Sequence, residues 1–270
     1  MNLSCSATAC PDLDLPDALD FARKAGFDGI ELFRERNRSA PPVQRASLMT
    51  VRTWIAESSL TLTGLNIRDL TGRKADTNER NLTYNLHQIE WDMHLAHALR
   101  LRSVNVKGGR HTGEALEDLI EGLNQMLERL PDMTINLASR RGTCVENLAD
   151  YQTVLPQVGE RVKLLLDTGN LIAADQDTIR CAEAFSDRIG LVRLRDHDGA
   201  RHVPFGAGKL PFGDLFKLLR EEGYDGGLVV ELQQIKKDTQ FDAAVNARRF
   251  VDEVLSGSGD RAVSQVRNAR

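Results

Sequence analysis

The stretch Leu191-Val192-Arg193-Leu194-Arg195-Asp196 has the pattern of a short buried β-strand that ends in charged side chains. Similar short runs recur along the chain, and each is followed by a longer segment whose apolar residues have helical spacing. Parallel strands need helical crossovers between them. Because strand and helix alternate in this way throughout, the sequence predicts an α/β protein built on a parallel sheet.

The strand–helix unit occurs eight times, which is what a closed (β/α)8 TIM barrel requires. An open, doubly wound sheet is the competing architecture, but it would need fewer strands or a second domain. No Gly-x-Gly-x-x-Gly motif of a dinucleotide-binding fold follows the first strand. We therefore expect one barrel over residues 1–255 and a frayed polar tail over 256–270. The predicted strands are 3–7, 29–32, 60–67, 103–107, 133–138, 162–166, 189–194 and 228–232, and the predicted helices are 16–25, 43–57, 78–99, 114–130, 147–158, 175–187, 212–222 and 241–255.

The composition argues against several classes of protein. The 270 residues are 41% apolar and 27% charged, as in soluble globular domains. A net charge of −4 gives no sign of the basic surface that nucleic-acid binding needs. No run of about 18 apolar residues and no secretory signal is present. Four irregularly spaced cysteines are typical of free thiols, so we expect a cytoplasmic protein that contacts neither nucleic acid nor membrane.

Several stretches, taken together in their order and spacing, resemble the xylose isomerase-like TIM barrel family. That family comprises sugar phosphate isomerases and epimerases, AP endonuclease family 2-like proteins and related dehydratases. The resemblance covers roughly residues 3–255, and the net charge speaks against its endonuclease branch. The stretches are AGFDGIEL at 25–32, LLDTGN at 165–170, VRLRD at 192–196, VPFGAG at 203–208, GYDG at 223–226 and VE at 230–231.

In that family, four strand ends usually supply Glu, Asp, His and Glu to one divalent metal ion. The resemblance places Ala138, Asp167, Arg193 and Glu231 at these four positions. It also places Asn170 where the family has a histidine, three residues after the aspartate. The active site of a barrel lies at the carboxyl ends of its strands, which is where Asp167, Arg193 and Glu231 are expected from the strand pattern alone.

The fifth strand has two possible registers. Val145-Glu146-Asn147 looks like the family's strand-end Glu-Asn, in which case Glu146 would be the first metal ligand. A helix must, however, separate strands five and six, and only 147–158 is available for it. The strand then ends at Ala138, and Glu146 belongs to the start of the next helix, where an acidic residue suits the helix dipole. We prefer the Ala138 register and leave the Glu146 register open.

The substitutions change the charge of the expected site. Two carboxylates remain, Asp167 and Glu231, and Arg193 adds a positive charge that no relevant pH removes. A guanidinium can accept two carboxylates through its forked donors, and an alanine at position 138 leaves room for its long side chain. We therefore expect Arg193 to replace the metal as the local cation, with no cofactor. If a metal binds at all, it would be a weakly held Mn, Mg or Zn ion on Asp167 and Glu231.

The expected roles follow from these positions. We assign catalysis to Glu231 as the base, together with Asp167 and the cation Arg193. Substrate-binding residues are expected to be Lys107, Glu31, Asn66, Asn170, Arg140 and His202. Four of them have a plainer alternative: Lys107 and Glu31 could form a salt bridge with each other, and Arg140 and His202 could be solvated loop residues.

The sequence therefore predicts a sugar isomerase- or epimerase-like enzyme of carbohydrate metabolism. It would move a proton on a small polyhydroxylated, anionic carbonyl compound without a metal. The first alternative is a metal-independent lyase or dehydratase, which would use the same base and cation. The second is a non-catalytic barrel that binds a ligand or serves as a partner subunit. Since barrels of the resembling family often associate through their outer helices, a homo-oligomer is also an expectation.

Overall fold

The strands of the sheet alternate with helices along the chain. The computed structural model describes residues 1–35, 37–41, 46–72, 81–233 and 235–257. Eight strands lie within these ranges, all in parallel register with their neighbours, and β8 closes the sheet by pairing with β1. The predicted single (β/α)8 barrel is therefore confirmed. The strands are β1 Asn2–Ser6, β2 Gly29–Phe33, β3 Thr61–Asn66, β4 Ser103–Lys107, β5 Thr134–Ala138, β6 Val162–Asp167, β7 Ile189–Leu194 and β8 Gly227–Val230.

Helices connect the strands on the outside of the barrel. The predicted helix at 147–158 is shorter, because a 3-10 turn at Leu155–Gln157, which contains a proline, ends it. The predicted helix at 175–187 is preceded by a further short helix that the sequence did not suggest. The first residues of the predicted helices at 43 and 78 lie outside the described residues. Over the described ranges the helices are α1 Leu15–Lys24, α2 Leu48–Glu57, α3 Leu82–Ala98, α4 Gly113–Arg129, α5 Leu148–Val154, α6 Thr168–Ala173, α7 Thr178–Ala184, α8 Phe212–Glu221 and α9 Gln240–Leu255.

The buried apolar residues form two clusters. The larger lies between the outer face of the sheet and the helices. The smaller one consists of Ala138, Leu165, Leu191 and Val229, each from a different strand. Side chains two residues apart on a strand point to the same face. The interior positions of Leu165, Leu191 and Val229 are therefore followed, on the same face, by the residues at 167, 193 and 231, which places those three polar side chains above an apolar layer.

The register of the fifth strand is settled. β5 ends at Ala138, which pairs with Lys107 of β4 and Leu165 of β6. Glu146 lies before α5, and its carboxylate accepts a hydrogen bond from the backbone N–H of Gly142 at 3.0 Å. The preferred Ala138 register is confirmed, and the Glu146 alternative is wrong because a separate helix follows that residue.

The loop between β7 and α8 folds around one buried carboxylate, Asp196. It accepts backbone N–H groups of His197 at 3.0 Å, Gly206 at 2.9 Å and Gly208 at 2.9 Å. A Cβ atom at position 208 would collide with this carboxylate, so glycine is required there. The loop also carries His202, which is held against His197 by a β-bridge. Asp196 thereby fixes the place of His202 at the mouth of the barrel.

Two further expectations concern the polar tail and the presence of a membrane-spanning segment. α9 ends at Leu255, and all but the first two residues of the predicted polar tail at 256–270 lie outside the described residues. Among the helices of the described ranges, none has the length and apolar character needed to cross a lipid bilayer.

The capping residue of α5 gives a test of this local structure. The Asn147 side chain accepts the backbone N–H groups of Ala149 and Asp150, and Asp150 returns the contact to the Asn147 backbone. Replacing Asn147 by Ala removes the cap and should lower the free energy of unfolding by about 1 kcal/mol in urea titrations. The exposed Gln152→Ala substitution on the same helix should change it by less than about 0.5 kcal/mol. Equal effects of the two substitutions would contradict the capping role.

Candidate active site

A cavity of about 420 Å³ opens at the carboxyl ends of the strands. Most of the residues that the sequence singled out line this cavity. They are the predicted catalytic residues Asp167, Arg193 and Glu231 and the predicted binding residues Asn66, Lys107, Arg140, Asn170 and His202. Glu31 is the exception among the predicted residues, because it is fully buried below the cavity floor.

Arg193 contacts all three carboxylates of the site. Its Nη2 donates to Glu31 Oε1 at 2.6 Å and to Asn66 Oδ1 at 2.7 Å, and its Nη1 donates to Asp167 Oδ2 at 3.4 Å. The Nε atom lies 3.4 Å from Glu231 Oε2 in an ion pair. The guanidinium therefore lies among three carboxylates and points inward, as the sequence predicted for two of them.

A second arginine shares the same carboxylates. Arg195 Nε donates to Asp167 Oδ1 at 3.0 Å, and its Nη2 donates to the same oxygen. Its Nε also lies 3.6 Å from Glu231 Oε2. Sequence reasoning missed Arg195, although its place two residues after Arg193 gave the signal, since alternate residues of a strand share a face.

The buried charges almost balance. Arg193 and Arg195 carry two positive charges, while Glu31, Asp167 and Glu231 would carry three negative ones if all were ionised, a sum of −1. Burial would raise the pKa of Asp167, but Arg195 and Arg193 outweigh it and hold that pKa below its usual value. Burial raises the pKa of Glu31, and Arg193 offsets only part of this effect. One proton on Glu31 would make the cluster neutral.

Arg193 itself stays charged. Burial alone would lower the pKa of its guanidinium, but Glu31, Glu231 and Asp167 together raise it above its ordinary value. An arginine that is protonated in water at any relevant pH is therefore even more firmly protonated here. The site thus contains a permanent cation that does not depend on metal supply.

Glu31 is supported from below by a chain of amides. Asn105 donates to Glu31 Oε1 at 2.9 Å, and Asn136 donates to Asn105 Oδ1 at 2.9 Å. These contacts come from β4 and β5 and fix the carboxylate that holds the Nη2 end of Arg193. Glu31 therefore positions Arg193, and its predicted contact with substrate finds no support in this placement.

The remaining predicted binding residues occupy the rim and walls. Lys107 forms an ion pair with Asp69 at 2.6 Å, so the expected partner Glu31 is replaced by a loop residue after β3. Asn170 donates its side-chain amide to the carbonyl of Ser139 at 2.6 Å, and its backbone N–H donates to Oδ1 of the helix-capping Asp167 at 3.0 Å. The exposed Arg140 also lines the cavity.

A further cluster of charged residues lies beside the cavity, and the sequence pattern did not predict it. Asp92 of α3 is fully buried and accepts Arg34 Nε and Arg68 Nε, each at 2.9 Å. Arg34 also lies over the ring of Trp91, with 5.2 Å between its Cζ and the ring centroid. Two of the cations that line the cavity thus share the one carboxylate of Asp92, and Arg68 also pairs with Glu35 at 3.3 Å. This pairing weakens the expectation of an anionic substrate, because these two charges already have a partner.

His202 lies at the cavity wall with an unusual polar atom. Its Nδ1 is buried and makes no hydrogen bond within the described part of the chain. Burial lowers the pKa of His202, with Arg195 and His197 acting in the same direction. The imidazole is therefore neutral near pH 7 and can accept or donate one hydrogen bond to a ligand.

The site does not fit a divalent metal ion. Two carboxylates, Asp167 and Glu231, stand where the resembling family has ligands, and the Nη1 and Nε atoms of Arg193 contact both. Hard divalent ions take four or more ligands, and a guanidinium between two of them repels the ion. Among residues 1–35, 37–41, 46–72, 81–233 and 235–257, no group of three or more His, Cys, Asp or Glu side chains could hold a metal.

The family is established by comparison with known proteins. A family model described as the xylose isomerase-like TIM barrel matches residues 19–253 of this chain. The chain therefore belongs to the xylose isomerase-like TIM barrel family, and the resemblance noted in the sequence is confirmed.

Individual relatives are distant. An inosose dehydratase from Lacticaseibacillus casei is 24% identical over 168 residues, which cover 54% of this chain and 56% of that protein. The crystal structure of the IolI protein with a bound zinc atom matches with a TM-score of 0.81 at 18% identity, covering 95% of this chain and 99% of that chain. The structure of an L-ribulose 3-epimerase matches with a TM-score of 0.78 at 18% identity, covering 98% and 97% of the two chains.

These likenesses differ in what they show. At 18% identity, the two solved structures show a shared fold. The chain spans little more than half the length of the inosose dehydratase that it matches. The fold and the family are therefore established, while the reaction has to be argued from the site.

The buried proton predicted for Glu31 makes stability depend on pH. Because the folded pKa of Glu31 is raised, its contribution to stability is present below the unfolded pKa of about 4.3 and is lost as the pH rises towards the folded pKa. Glu31→Gln removes this titration and keeps an oxygen for Arg193. The free energy of unfolding of this variant, minus that of the native protein, should increase as the pH rises above about 4.3.

Urea titrations between pH 4 and 8 measure this difference. The exposed Glu57→Gln substitution at the end of α2 is the control and should give a nearly flat difference over the same range. A Glu31→Gln difference that stays constant or falls with rising pH would show that Glu31 is ionised in the folded protein.

Proposed function

We propose that this protein is a sugar isomerase- or epimerase-like enzyme that transfers a proton on a small polyhydroxylated carbonyl compound, with Arg193 as the cation in place of a metal. The observation that carries this proposal is the position of Arg193 between Asp167, Glu231 and Glu31 on the cavity floor. A retired site would have no need to keep two carboxylates paired to a buried cation, since an unpaired buried charge is costly and a paired one is seldom a gain in stability.

Glu231 is the proposed base. Gln233 donates to its Oε1 at 2.7 Å, which fixes the carboxylate, while its Oε2 makes no hydrogen bond within the described residues. This oxygen, which has ion-pair contacts with Arg193 and Arg195 but accepts no hydrogen bond, would take the proton from the carbon next to the substrate carbonyl. The electron pair left on the carbon moves to the carbonyl oxygen, giving an enediolate, and a cation beside that oxygen lowers the barrier. Arg193 and Arg195 are the buried cations near Glu231.

The fate of the enediolate decides the reaction. If the hydroxyl proton on the first carbon passes to the former carbonyl oxygen and protonated Glu231 returns its proton to the neighbouring carbon, the carbonyl group has moved and the product is an isomer. If instead a β-hydroxyl group leaves with that proton as water, the product is a dehydrated carbonyl compound. Both outcomes need one base, whereas inversion at one carbon needs a second acid on the opposite face.

Dehydration is therefore the second candidate function. It is favoured by Oε2 of Glu231, a carboxylate oxygen of the cavity lining that accepts no hydrogen bond within the described residues, and it is in line with the inosose dehydratase among the relatives. A sugar-like substrate fits the donors and acceptors of Asn66, Lys107, Asn170 and Arg140 along the cavity. An anionic group on the substrate would bind at Arg140, which lines the cavity and is exposed.

Removal of the proposed base gives the first test. Glu231→Gln keeps the contact with Gln233 but cannot take up a proton, so deuterium exchange from solvent into substrate should fall by about 10²- to 10⁴-fold. The assay is NMR of a panel of ketoses, their phosphates and inosose in D₂O. The exposed Glu221→Gln substitution on α8 is the control and should keep the native rate.

The panel also separates the alternatives. Exchange without loss of water supports isomerisation, and appearance of an unsaturated or deoxy product supports dehydration. No exchange and no product with any compound of the panel, for native protein and variant alike, would favour a non-catalytic barrel that binds a ligand or a partner subunit.

Restoring the family's metal ligands gives the second test. The double substitution Ala138→Glu and Arg193→His supplies four metal ligands with Asp167 and Glu231. Because the Arg193 guanidinium no longer lies between the carboxylates and the donor set is complete, this variant should bind about one equivalent of Mn²⁺ or Zn²⁺, raising its melting temperature in proportion to the logarithm of metal concentration.

The native protein and the single variant Arg193→His are the controls. Both should retain less than one equivalent after dialysis, as measured by elemental analysis, and the native activity should survive EDTA. One tightly held equivalent in the native protein, or activity lost to EDTA and restored by manganese, would contradict the replacement of the metal by Arg193.

A further inference from the structure

A second cavity of about 660 Å³ adjoins the active-site cavity. It lies between the β7–α8 loop, the segment after β8 and the first turns of α9. Its walls differ from those of the active site. Seven of the twelve lining residues that it does not share with the active site are apolar: Val203, Pro204, Phe205, Leu232, Ile235, Ala243 and Ala247. The other five are Asp196, Arg201, Thr239, Asp242 and Asn246.

The two cavities meet at a polar wall. Arg195, His202, Glu231 and Gln233 line both of them. The proposed base and one of its neighbouring cations therefore face both spaces. A molecule held at Glu231 has hydroxyl-binding side chains on one side and an apolar chamber on the other.

Two atoms of this shared wall lack hydrogen-bond partners. Nδ1 of His202 and Oε2 of Glu231 are buried and make no hydrogen bond within the described residues, although Oε2 lies 3.4 and 3.6 Å from the Nε atoms of Arg193 and Arg195. Buried polar atoms normally make hydrogen bonds, so atoms without one at a cavity wall point to a ligand group that completes them. Such a ligand would have its polar part at the wall.

Small side chains on α9 create the space of the apolar chamber. Ala243 and Ala247 are one helical turn apart and both line it. Ala247 is buried and Ala243 half-buried, so a larger residue at 243 would extend into the cavity. Phe205 forms the facing wall and is itself packed against Phe212 and Phe250, with ring centroids 5.4 and 6.4 Å away.

We infer that this chamber binds an apolar substituent, aromatic or short acyl, carried by the substrate whose carbonyl end lies at Glu231. This inference rests on the proposed function for the polar end of the molecule and names the substrate class more closely. The substrate has a hydroxylated carbonyl part and an apolar part joined near the reacting carbon. The apolar lining gives affinity through burial, while the shared polar wall fixes the orientation.

Three probes test the chamber by isothermal titration calorimetry: inosose, a mono-O-benzyl ether of inosose, and benzyl alcohol. The benzyl ether should bind the native protein at least about ten-fold more tightly than inosose, because it buries an aromatic ring. Ala243→Phe fills the chamber, and the ratio of the two affinities should fall to about one. Asn246→Phe, at an exposed lining position one turn away, is a second variant in case the first does not fold.

Glu253→Gln, a substitution at a half-buried position near the other end of α9 and outside both cavity linings, should keep the native ratio. If inosose binds, its benzyl ether binds no more tightly and benzyl alcohol does not bind, the proposed apolar chamber is contradicted. The proposed function would still stand in that case. Benzyl alcohol binding that the filling variants abolish, without inosose binding, would support the chamber and count against the sugar-like head. Absence of binding by all three probes would overturn both.

Discussion

The site depends on one buried guanidinium. Arg193 lies in the barrel with three carboxylates around it and is 6% exposed. Removing one partner of a buried ion pair typically costs about 3–5 kcal/mol, because the other charge is left uncompensated. The carboxylates and the arginine therefore have to be retained together. Asp167, Glu31 and Glu231 could not remain close and ionised in this interior without a cation.

The barrel creates this requirement through its geometry. Its parallel strands all end at one mouth, and alternate residues on each strand face inward. The apolar layer of Ala138, Leu165, Leu191 and Val229 fills the interior just below. Charged residues at the next inward positions then pair with one another, and the amides of Asn66, Asn105 and Gln233 complete their hydrogen bonds. A divalent ion is one solution to this problem and a guanidinium is another, and the alanine at 138 accompanies the second solution.

The two solutions differ chemically. A bound metal ion can dissociate into solvent, can exchange its ligands and directly polarises an oxygen atom of the substrate that it binds. A guanidinium acts through hydrogen bonds of fixed direction and keeps its charge at every relevant pH. Arg193 already donates to Glu31, Asn66 and Asp167, so it mainly organises the floor. Arg195 faces both cavities and is the better placed of the two to meet a substrate oxygen.

The features of this arrangement that depend on local sequence pattern could be predicted from the sequence. Strand spacing alone predicted that Asp167, Arg193 and Glu231 would meet, and the need for a helix before β6 predicted the end of β5 at Ala138. The pairing of Arg34 and Arg68 with Asp92 could not be predicted in this way, because Asp92 belongs to a helix whose rotation against the barrel leaves no local signal. α6 was missed because its N-cap is the site residue Asp167, whose role in the site concealed its role in the helix.

The central claim is that an arginine occupies the place of the family's metal ion. The most direct measurement is a crystal structure from crystals grown with manganese, with anomalous data collected to locate the ion. We expect clear density for the Arg193 guanidinium between Glu31, Asp167 and Glu231, and no anomalous peak among them. A manganese peak bridging Asp167 and Glu231, with the Arg193 side chain turned out of the barrel, would contradict it.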